Sequence, residues 1–326
     1  HNGNINNAFK IIKMAKMCGV DAIKLQTYRP DTITMDINTP EFMIEGGLWH
    51  GKSLYELYES AFMPWDWHIP LFDYAKDIGI TIFSSPFDNT AVDLLESLNA
   101  PAYKIASFEA VDLPLIKYVA QTGKPMIIST GMANSIEIQE AIDAAKEGGC
   151  KELSILHCVS GYPAPASDYN LKTLTDMQKK FKLVTGLSDH TIDNTTAIAS
   201  VALGALIIEK HVTLDRNAGG PDDSFSLEEK ELKELCFGVD TAWKSLGKVH
   251  YGKKSSEQEN VKFRRSLYFT KDIDSGSIIT SEDIRSIRPG YGLHPKYFDQ
   301  VIGKKVSRYR SKGDPLSEDD IVNFIP

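Results

Sequence analysis

The chain has 326 residues, of which 42% are hydrophobic and 25% charged, and its formal net charge at pH 7 is −8. This balance excludes a largely disordered protein, and the acidic charge argues against nucleic acid as a partner. With no apolar run of membrane-span length, no secretion signal at the first residues and no C-x-x-C pair among four separated cysteines, we expect a cytoplasmic protein without a membrane partner, disulfide framework or zinc knuckle.

Short β-branched runs alternate with helical patterns from Asn6 to about Gly247, which is typical of repeated βα units around a parallel sheet. Seven runs are predicted to be strands, at residues 22–26, 80–84, 102–105, 125–130, 153–158, 183–188 and 206–211. The helical patterns between and after them include residues 8–17, 69–78, 90–98, 113–120, 136–147, 195–203 and 227–246.

A closed α/β barrel of the TIM (β/α)8 type needs eight strands. The sequence opens on a polar loop, His1-Asn2-Gly3-Asn4, that leads straight into a helical pattern, as a βα unit would without its strand. We therefore expect a TIM barrel whose first strand lies upstream of His1. The alternatives are an open seven-stranded sheet and a truncated barrel, but open sheets rarely repeat so regularly.

The C-terminal quarter has a different character. Residues 248–263 are polar and charged without a clean period and are predicted to be a linker between a barrel domain, 1–247, and a small domain, 264–326. The small domain contains a weak repeat, in which Gly276 and Gly313 are each followed by a Ser-Glu-Asp run and, eight residues on, by isoleucine. About 60 residues without a disulfide form only a thin core, so we expect this domain to dock on a larger surface.

Polar side chains end every predicted strand, and the strand ends are where a parallel barrel builds its active site. Lys24 and Lys104 end different strands, and the hydroxyls of Ser85, Ser107 and Ser129 lie at matching heights. Two cations and several hydroxyls over one pocket suit an anion, most simply a phosphate with a carboxylate. The alternative is a pair of lysines that extend along the barrel rim into water.

His190 and His211 follow neighbouring strands and can share a divalent ion, which would then act as a Lewis acid with open positions for water and substrate. The alternative is two histidines hydrogen-bonded in a polar mouth without a metal. The loop 219–223 after the seventh strand either brings a carboxylate over the mouth or is a simple turn.

The strand-end motifs resemble those of the sialic acid synthase family, in order along nearly the whole chain. The matching segments are residues 1–4, 23–27, 83–87, 104–107, 129–132, 186–191 and 209–211. The tail, at residues 263–267 and 288–292, looks like the antifreeze-like (SAF) domain that follows the barrel in that family. Within the family, residues 219–226 and 288–297 look most like the pseudaminic acid synthase branch.

The resemblance implies residue roles. Phosphoenolpyruvate contacts are implied at Lys24, Ser85, Lys104, Ser107, Ser129 and Ser188, with Ser160 added at a position that is often Asn in the family. Metal ligands are implied at His190 and His211, for Mn²⁺ or Mg²⁺ with Co²⁺ as a further candidate. Sugar contacts are implied at Gln26, Tyr162 and Asp222, and from the tail at Arg288. Catalysis is expected from Lys24, Lys104, His190 and His211.

The resemblance also implies the reaction and the assembly. Phosphoenolpyruvate would condense with the open-chain aldehyde of 2,4-diacetamido-2,4,6-trideoxy-β-L-altropyranose and water, giving pseudaminic acid and phosphate. In a domain-swapped homodimer, the tail of one chain would cover the barrel of the other. The family's catalytic glutamate lies on the first strand, just before the segment that matches residues 1–4.

Three alternatives stay open. An N-acetylneuraminate or legionaminic acid synthase shares the same barrel chemistry. A phosphoenolpyruvate aldol enzyme for sugar phosphates should carry a second basic cluster, which the sequence does not offer. A carbohydrate-binding protein without catalysis would leave the polar strand ends unexplained.

Overall fold

The computed structural model describes residues 1–325, and the chain forms two compact units, the first spanning His1–Gly247 and the second beginning at Lys248. No helix among these residues has both the length and the apolar character needed to cross a membrane. The predicted linker belongs to the second unit, and its later part forms a 3-10 helix, Ser255–Phe263.

The first unit is built on seven parallel strands that neighbour one another in chain order and curl into a half-barrel. They are β1 Ala22–Thr27, β2 Thr81–Pro86, β3 Tyr103–Ile105, β4 Met126–Ser129, β5 Leu153–Cys158, β6 Val184–Asp189 and β7 Ile208–Lys210. All seven predicted strands are confirmed, with ends within two residues of the predicted ones. In the sheet as described, β1 and β7 are the two edges, and an eighth strand stays a prediction.

Helices follow the strands, as the alternating pattern predicts. They are α1 Ile5–Cys18, α2 Pro30–Ile33, α3 Leu54–Ala61, α4 His68–Ile78, α5 Asn89–Ser97, α6 Leu113–Ala120, α7 Ser135–Glu147, α8 Lys172–Phe181, α9 Thr195–Ala202 and α10 Glu229–Leu246. The start of α1 is set by Asn4, whose side chain accepts a hydrogen bond from the backbone N–H of Asn6, and its end by Gly19 in the left-handed conformation.

Alternation along the strands decides which side chains face the inside of the curled sheet. In β1, Ile23 and Leu25 are buried in the apolar layer that also contains α1 and α4, so Lys24 and Gln26 point to the opposite face. In β3, Tyr103 and Ile105 belong to the apolar core shared with α6 and α7, and Lys104 between them points inward. The same alternation therefore brings lysines from two separate strands into one interior.

The second unit has its own small core around an antiparallel pair of strands, β8 Ser266–Phe269 and β9 Ile284–Ile287, with one short helix, α11 Phe298–Val301. The weak sequence repeat is matched by a structural one at a spacing of 37 residues. The Asp283 carboxylate accepts a hydrogen bond from the backbone N–H of Thr280, and Asp320 accepts the equivalent bond from Ser317. In both copies of the repeat, an aspartate carboxylate thus accepts the backbone N–H of the residue three positions before it.

Candidate active site

Lys24 and Lys104 meet at a single carboxylate. The Nζ atoms of Lys24 and Lys104 lie 2.8 and 3.1 Å from Oε1 of Glu209, which comes from β7. Ser188, on the neighbouring strand β6, donates its hydroxyl to the same oxygen at 3.1 Å. The lysines are therefore not extended into solvent along the rim: the Lys104 side chain is only 2% exposed.

Burial and charge act against each other in this cluster. Burial lowers the pKa of Lys104 to about 8, while the Glu209 carboxylate opposes that shift. Burial alone would raise the pKa of Glu209, but the charges of Lys104 and Lys24 outweigh it and hold that pKa well below its ordinary value. Near neutral pH the cluster thus holds two ammonium groups against one carboxylate, which leaves a net positive charge inside an acidic protein.

Two hydroxyls predicted to bind phosphoenolpyruvate are buried without a hydrogen-bond partner. They belong to Ser85 on β2 and Ser129 on β4, and each residue is 1% exposed. Among residues 1–325, neither Oγ finds a donor or acceptor. A buried hydroxyl without a partner costs free energy, so hydroxyls of this kind mark a place where a ligand completes the hydrogen bonding.

Gly131 makes room for two more of the predicted serines. Its φ of +42° is in the left-handed region, and a Cβ at this position would lie 2.5 Å from the Cβ of Ser107 and 2.9 Å from Oγ of Ser160. Any other residue would therefore push into both serines. Gly131 keeps a small concave space between the ends of β3, β4 and β5.

His190 and His211 also come together, with ring centroids 5.3 Å apart. The Nδ1 atom of His190 donates to the carbonyl oxygen of Val159 at 2.8 Å, and Nδ1 of His211 lies 3.4 Å from the Asp222 carboxylate. Burial opposes ionisation of Asp222, but its hydrogen bond with His211 outweighs that effect and lowers the pKa of the carboxyl. The loop 219–223 does place a carboxylate at the mouth.

This pair of histidines fits a divalent cation. Because each Nδ1 is engaged by a neighbouring group, Nε2 is the atom that each ring keeps for a ligand, which is the usual arrangement around histidine-bound metals. Residues 1–325 contain no group of three or more His, Cys, Asp or Glu side chains arranged for a metal. An ion held here would thus take its other ligands from water and substrate, which leaves positions open for chemistry.

The predicted sugar contacts divide between the two units. The Tyr162 ring lies 4.5 Å from that of His190 and 6.4 Å from that of His211, so Tyr162 and Asp222 both border the histidine pair. Gln26 is exposed and pairs with Ser85 in the register of β1 and β2. Arg288 is an exposed residue of the second unit, directly after β9, and its role stays a prediction.

Two side chains near this site carry no predicted role. Glu209 lies in the matching segment 209–211, but nothing in the local pattern indicates that it binds both lysines. Trp49 comes from the segment between α2 and α3, which the strand pattern does not cover; its Nε1 donates to the carbonyl oxygen of Pro221 at 3.1 Å, and its ring lies 5.8 Å from that of Tyr162. An inward-facing acidic residue on a barrel strand was the available signal for Glu209.

Glu109, just after Ser107, is a further residue that the pattern does not single out. Burial raises the pKa of its carboxyl to about 7, and Oε2 has no hydrogen-bond partner among residues 1–325. In the unfolded chain the pKa of Glu109 stays near 4.5. Between about pH 4.5 and 7 the unfolded chain therefore loses this proton while the folded protein keeps it, and the free energy of unfolding falls as the pH rises.

We expect Glu109→Gln to remove that penalty. The melting temperature of the variant should match wild type near pH 4 and exceed it by about 4 °C or more above pH 7. Circular dichroism melts from pH 4 to 8.5 measure the difference. Glu234→Gln, at a weak surface pair on α10, is the control and should give a flat difference. A flat difference for Glu109→Gln would contradict the burial of its charge.

Comparisons with known proteins identify the family. Residues 11–251 match the NeuB family and residues 264–322 match the SAF domain. The chain is 42% identical over 320 residues to a pseudaminic acid synthase of Campylobacter jejuni, covering 98% of the chain and 93% of the relative. It is 35% identical over 322 residues to an N,N'-diacetyllegionaminic acid synthase of the same species, covering 98% and 96%.

A solved structure gives the same result in three dimensions. An N-acetylneuraminic acid (sialic acid) synthetase from Leptospira borgpetersenii superposes with a TM-score of 0.71 at 30% identity, covering 81% of the chain and 87% of that protein. The family model extends over most of the chain and includes every strand of the first unit. The chain therefore belongs to the NeuB family of synthases, and its second unit is a SAF domain.

Proposed function

We propose that this protein is a pseudaminic acid synthase. Its first unit condenses phosphoenolpyruvate with the open-chain aldehyde of 2,4-diacetamido-2,4,6-trideoxy-β-L-altropyranose, and water completes the reaction to pseudaminic acid and phosphate. The observation that carries the proposal is the pair of buried hydroxyls without partners, Ser85 and Ser129, in the mouth where Lys24 and Lys104 converge.

Phosphoenolpyruvate has two anionic groups, and this mouth matches them. Lys24 and Lys104 supply two cations, the hydroxyls of Ser107 and Ser160 border the position opened by Gly131, and those of Ser85 and Ser129 are buried without partners on the neighbouring strands β2 and β4. Ser188 binds Glu209 at present and can turn its hydroxyl to the ligand. Charge-assisted hydrogen bonds to phosphate and carboxylate are among the strongest that proteins make.

The bond changes balance without an oxidant or reductant. C3 of phosphoenolpyruvate forms a bond to the aldehyde carbon, and the electron pair of the C=O bond moves to oxygen, which takes a proton. C2 is left with positive charge, accepts the oxygen of water and releases a proton. The C2–O bond to phosphate then breaks and its electron pair leaves with phosphate, while the C2 hydroxyl forms the keto C=O bond and loses the second proton of the water. Fixed cations beside the phosphate stabilise the charge that it gains.

His190 and His211 hold the divalent ion in this proposal, Mn²⁺ or Mg²⁺, with Co²⁺ as a further candidate. When bound, the ion polarises the aldehyde oxygen as a Lewis acid. Tyr162 and Asp222 border the histidines and, together with Gln26, position the sugar. Arg288 reaches the N-acyl group of the sugar in a homodimer in which each tail covers the partner's barrel.

The choice of sugar rests on the relatives. Identity to the Campylobacter pseudaminic acid synthase is 42%, against 35% for the legionaminic acid synthase, over nearly the same coverage. Both relatives share the barrel, so the two candidate activities differ in contacts to the sugar substituents rather than in the chemistry at phosphoenolpyruvate.

Phosphate release measures the proposal directly. Purified full chain would be incubated with phosphoenolpyruvate, Mn²⁺ and one of two sugars, the altrose derivative named above or N-acetylmannosamine. We expect release with the altrose derivative to exceed that with N-acetylmannosamine by at least about tenfold, because contacts to ring substituents are worth about 1–3 kcal/mol or more. Preference for another sugar would reassign the branch, and sugar binding without phosphate release would overturn the synthase proposal.

A further inference from the structure

Two register pairs join the ends of β6 and β7, and a histidine follows each strand. Ser188 is in register with Glu209 and Asp189 with Lys210, and the residues directly after the two strands are His190 and His211, which we count as the third pair. The first and third of these pairs lie in the active site. Because side chains alternate between the two faces of a strand, the middle pair points to the opposite side of the sheet.

The middle pair is a buried ion pair. Nζ of Lys210 lies 2.7 Å from Oδ2 of Asp189, and the two side chains are 3% and 0% exposed. A buried ion pair must overcome the cost of removing two charges from water, so it is weak evidence of a contribution to stability by itself. A role in fixing position is a better reason for its presence.

The remaining bonds of this pair hold the turn that follows His190. Nζ of Lys210 also donates to the carbonyl oxygens of Thr191 and Asp193, at 2.7 and 2.6 Å. The other carboxylate oxygen of Asp189 accepts the backbone N–H of Thr191 at 2.9 Å. The Lys210 ammonium on β7 therefore binds residues before and after His190 in the chain.

The strand ladder itself does not extend this far. β7 has only three residues, and its register with β6 ends at the pair of Asp189 and Lys210, one position before the histidines. The other contacts of His190 lead elsewhere: its backbone N–H donates to the Tyr169 hydroxyl, and its carbonyl accepts from the N–H of Ala164. Those bonds fix His190 to the β5 side, and on the other side the carbonyl of His211 accepts from the N–H of Leu227. The ion pair is a direct link between the two segments that carry the histidines.

We propose that Lys210 and Asp189 are positioning residues that set the separation of the His190 and His211 imidazoles, and thereby the affinity of this site for a divalent ion. This inference rests on the two-histidine ion site of the proposed function. Outer groups that orient metal-binding histidines change metal affinity by about 10–100-fold when removed.

The test uses Lys210→Met, which keeps the length of the side chain and removes its charge. Binding of MnCl₂ to the metal-free full chain is measured by the loss of the free Mn²⁺ signal in electron paramagnetic resonance. Binding of phosphoenolpyruvate without metal is measured by calorimetry. We expect Mn²⁺ affinity to fall about 10–100-fold, with phosphoenolpyruvate affinity within threefold of wild type. Lys210→Arg, which retains the charge, should recover part of the Mn²⁺ affinity.

Two more variants serve as a control and as a substitute. Lys117→Met breaks a surface ion pair with Glu147 and should change neither affinity. Asp189→Asn keeps an oxygen that can accept from Thr191, and it is the milder variant to use if Lys210→Met fails to fold. A fall in its Mn²⁺ affinity of at least about threefold supports the proposal.

The outcomes separate the two proposals. The positioning role is overturned if Mn²⁺ affinity is unchanged in a folded Lys210→Met or Asp189→Asn protein, or if both affinities fall equally. In that case the proposed ion site still stands, provided that wild-type Mn²⁺ binding depends on His211. A wild-type chain that binds no Mn²⁺ overturns both.

Discussion

Lys104→Ala is expected to lower the turnover number for phosphate release by about 10²- to 10³-fold. Lys104 is the most buried charge in the anion site, and its strand β3 lies between β2 and β4, which carry the two hydroxyls without partners, so its ammonium acts where water screens it least. Removal of one preorganised donor to a developing negative charge costs a factor of this size in other enzymes. Steady-state kinetics at saturating phosphoenolpyruvate measures the loss.

Lys117→Ala is the matched control, since Lys117 pairs with Glu147 on the surface and should leave turnover unchanged. Turnover of Lys104→Ala within tenfold of wild type would refute the role of Lys104. Circular dichroism of both variants separates a loss of chemistry from a loss of folding.

The pH dependence of turnover follows from the same cluster. Burial lowers the pKa of Lys104 to about 8, so its charge is present below pH 8 and lost above it, and activity should decline through that range. Glu209 raises this pKa, and Glu209→Gln should therefore move the alkaline decline to lower pH. A decline at the same pH in both proteins would show that Lys104 does not control it.

His211→Ala is expected to lower turnover by at least about 10²-fold and to remove the response to added Mn²⁺. His190 and His211 are the two ligands proposed for the ion, and residues 1–325 contain no cluster of three or more candidate ligands, so loss of either histidine leaves a single protein ligand. In the wild-type chain, treatment with a chelator should abolish phosphate release, and Mn²⁺ should restore it.

His250→Ala, which changes an exposed histidine, is the control and should keep both activity and the response to Mn²⁺. Full activity of His211→Ala in the presence of chelator would count decisively against the ion site. Restoration of the chelated wild-type enzyme by Mn²⁺ but not by Mg²⁺ would identify the better cofactor.

Strand positions and the polar strand ends were predictable because they depend on local rules. Alternation of side chains along β1 and β3 places Lys24 and Lys104 on the inner face whatever the rest of the chain does. Because consecutive strands are neighbours in the sheet, His190 and His211 follow neighbouring strand ends, and the family resemblance gives both pairs their expected roles.

The structure decided which side chains those residues meet. Lys24 and Glu209 are 185 residues apart in the chain, and no local pattern states that their strands curve toward one another. Likewise, the position of Asp222 beside His211 decides that the loop 219–223 brings a carboxylate to the mouth. No periodic pattern or motif in the sequence indicates that Glu109 or Trp49 lies near the site.

The sequence by itself thus determined the parallel α/β unit and the faces on which the lysines and histidines lie, because these follow from periods of two and 3.6 residues. It also determined the separate C-terminal unit, because the periodic pattern stops in a polar linker. Only the tertiary structure decided that Glu209 bridges both lysines, that Ser85 and Ser129 are left without partners, and that Lys210 grips the chain around His190. Ion pairs, burial and missing hydrogen-bond partners depend on which distant segments meet, and that is decided only when the sheet has curled.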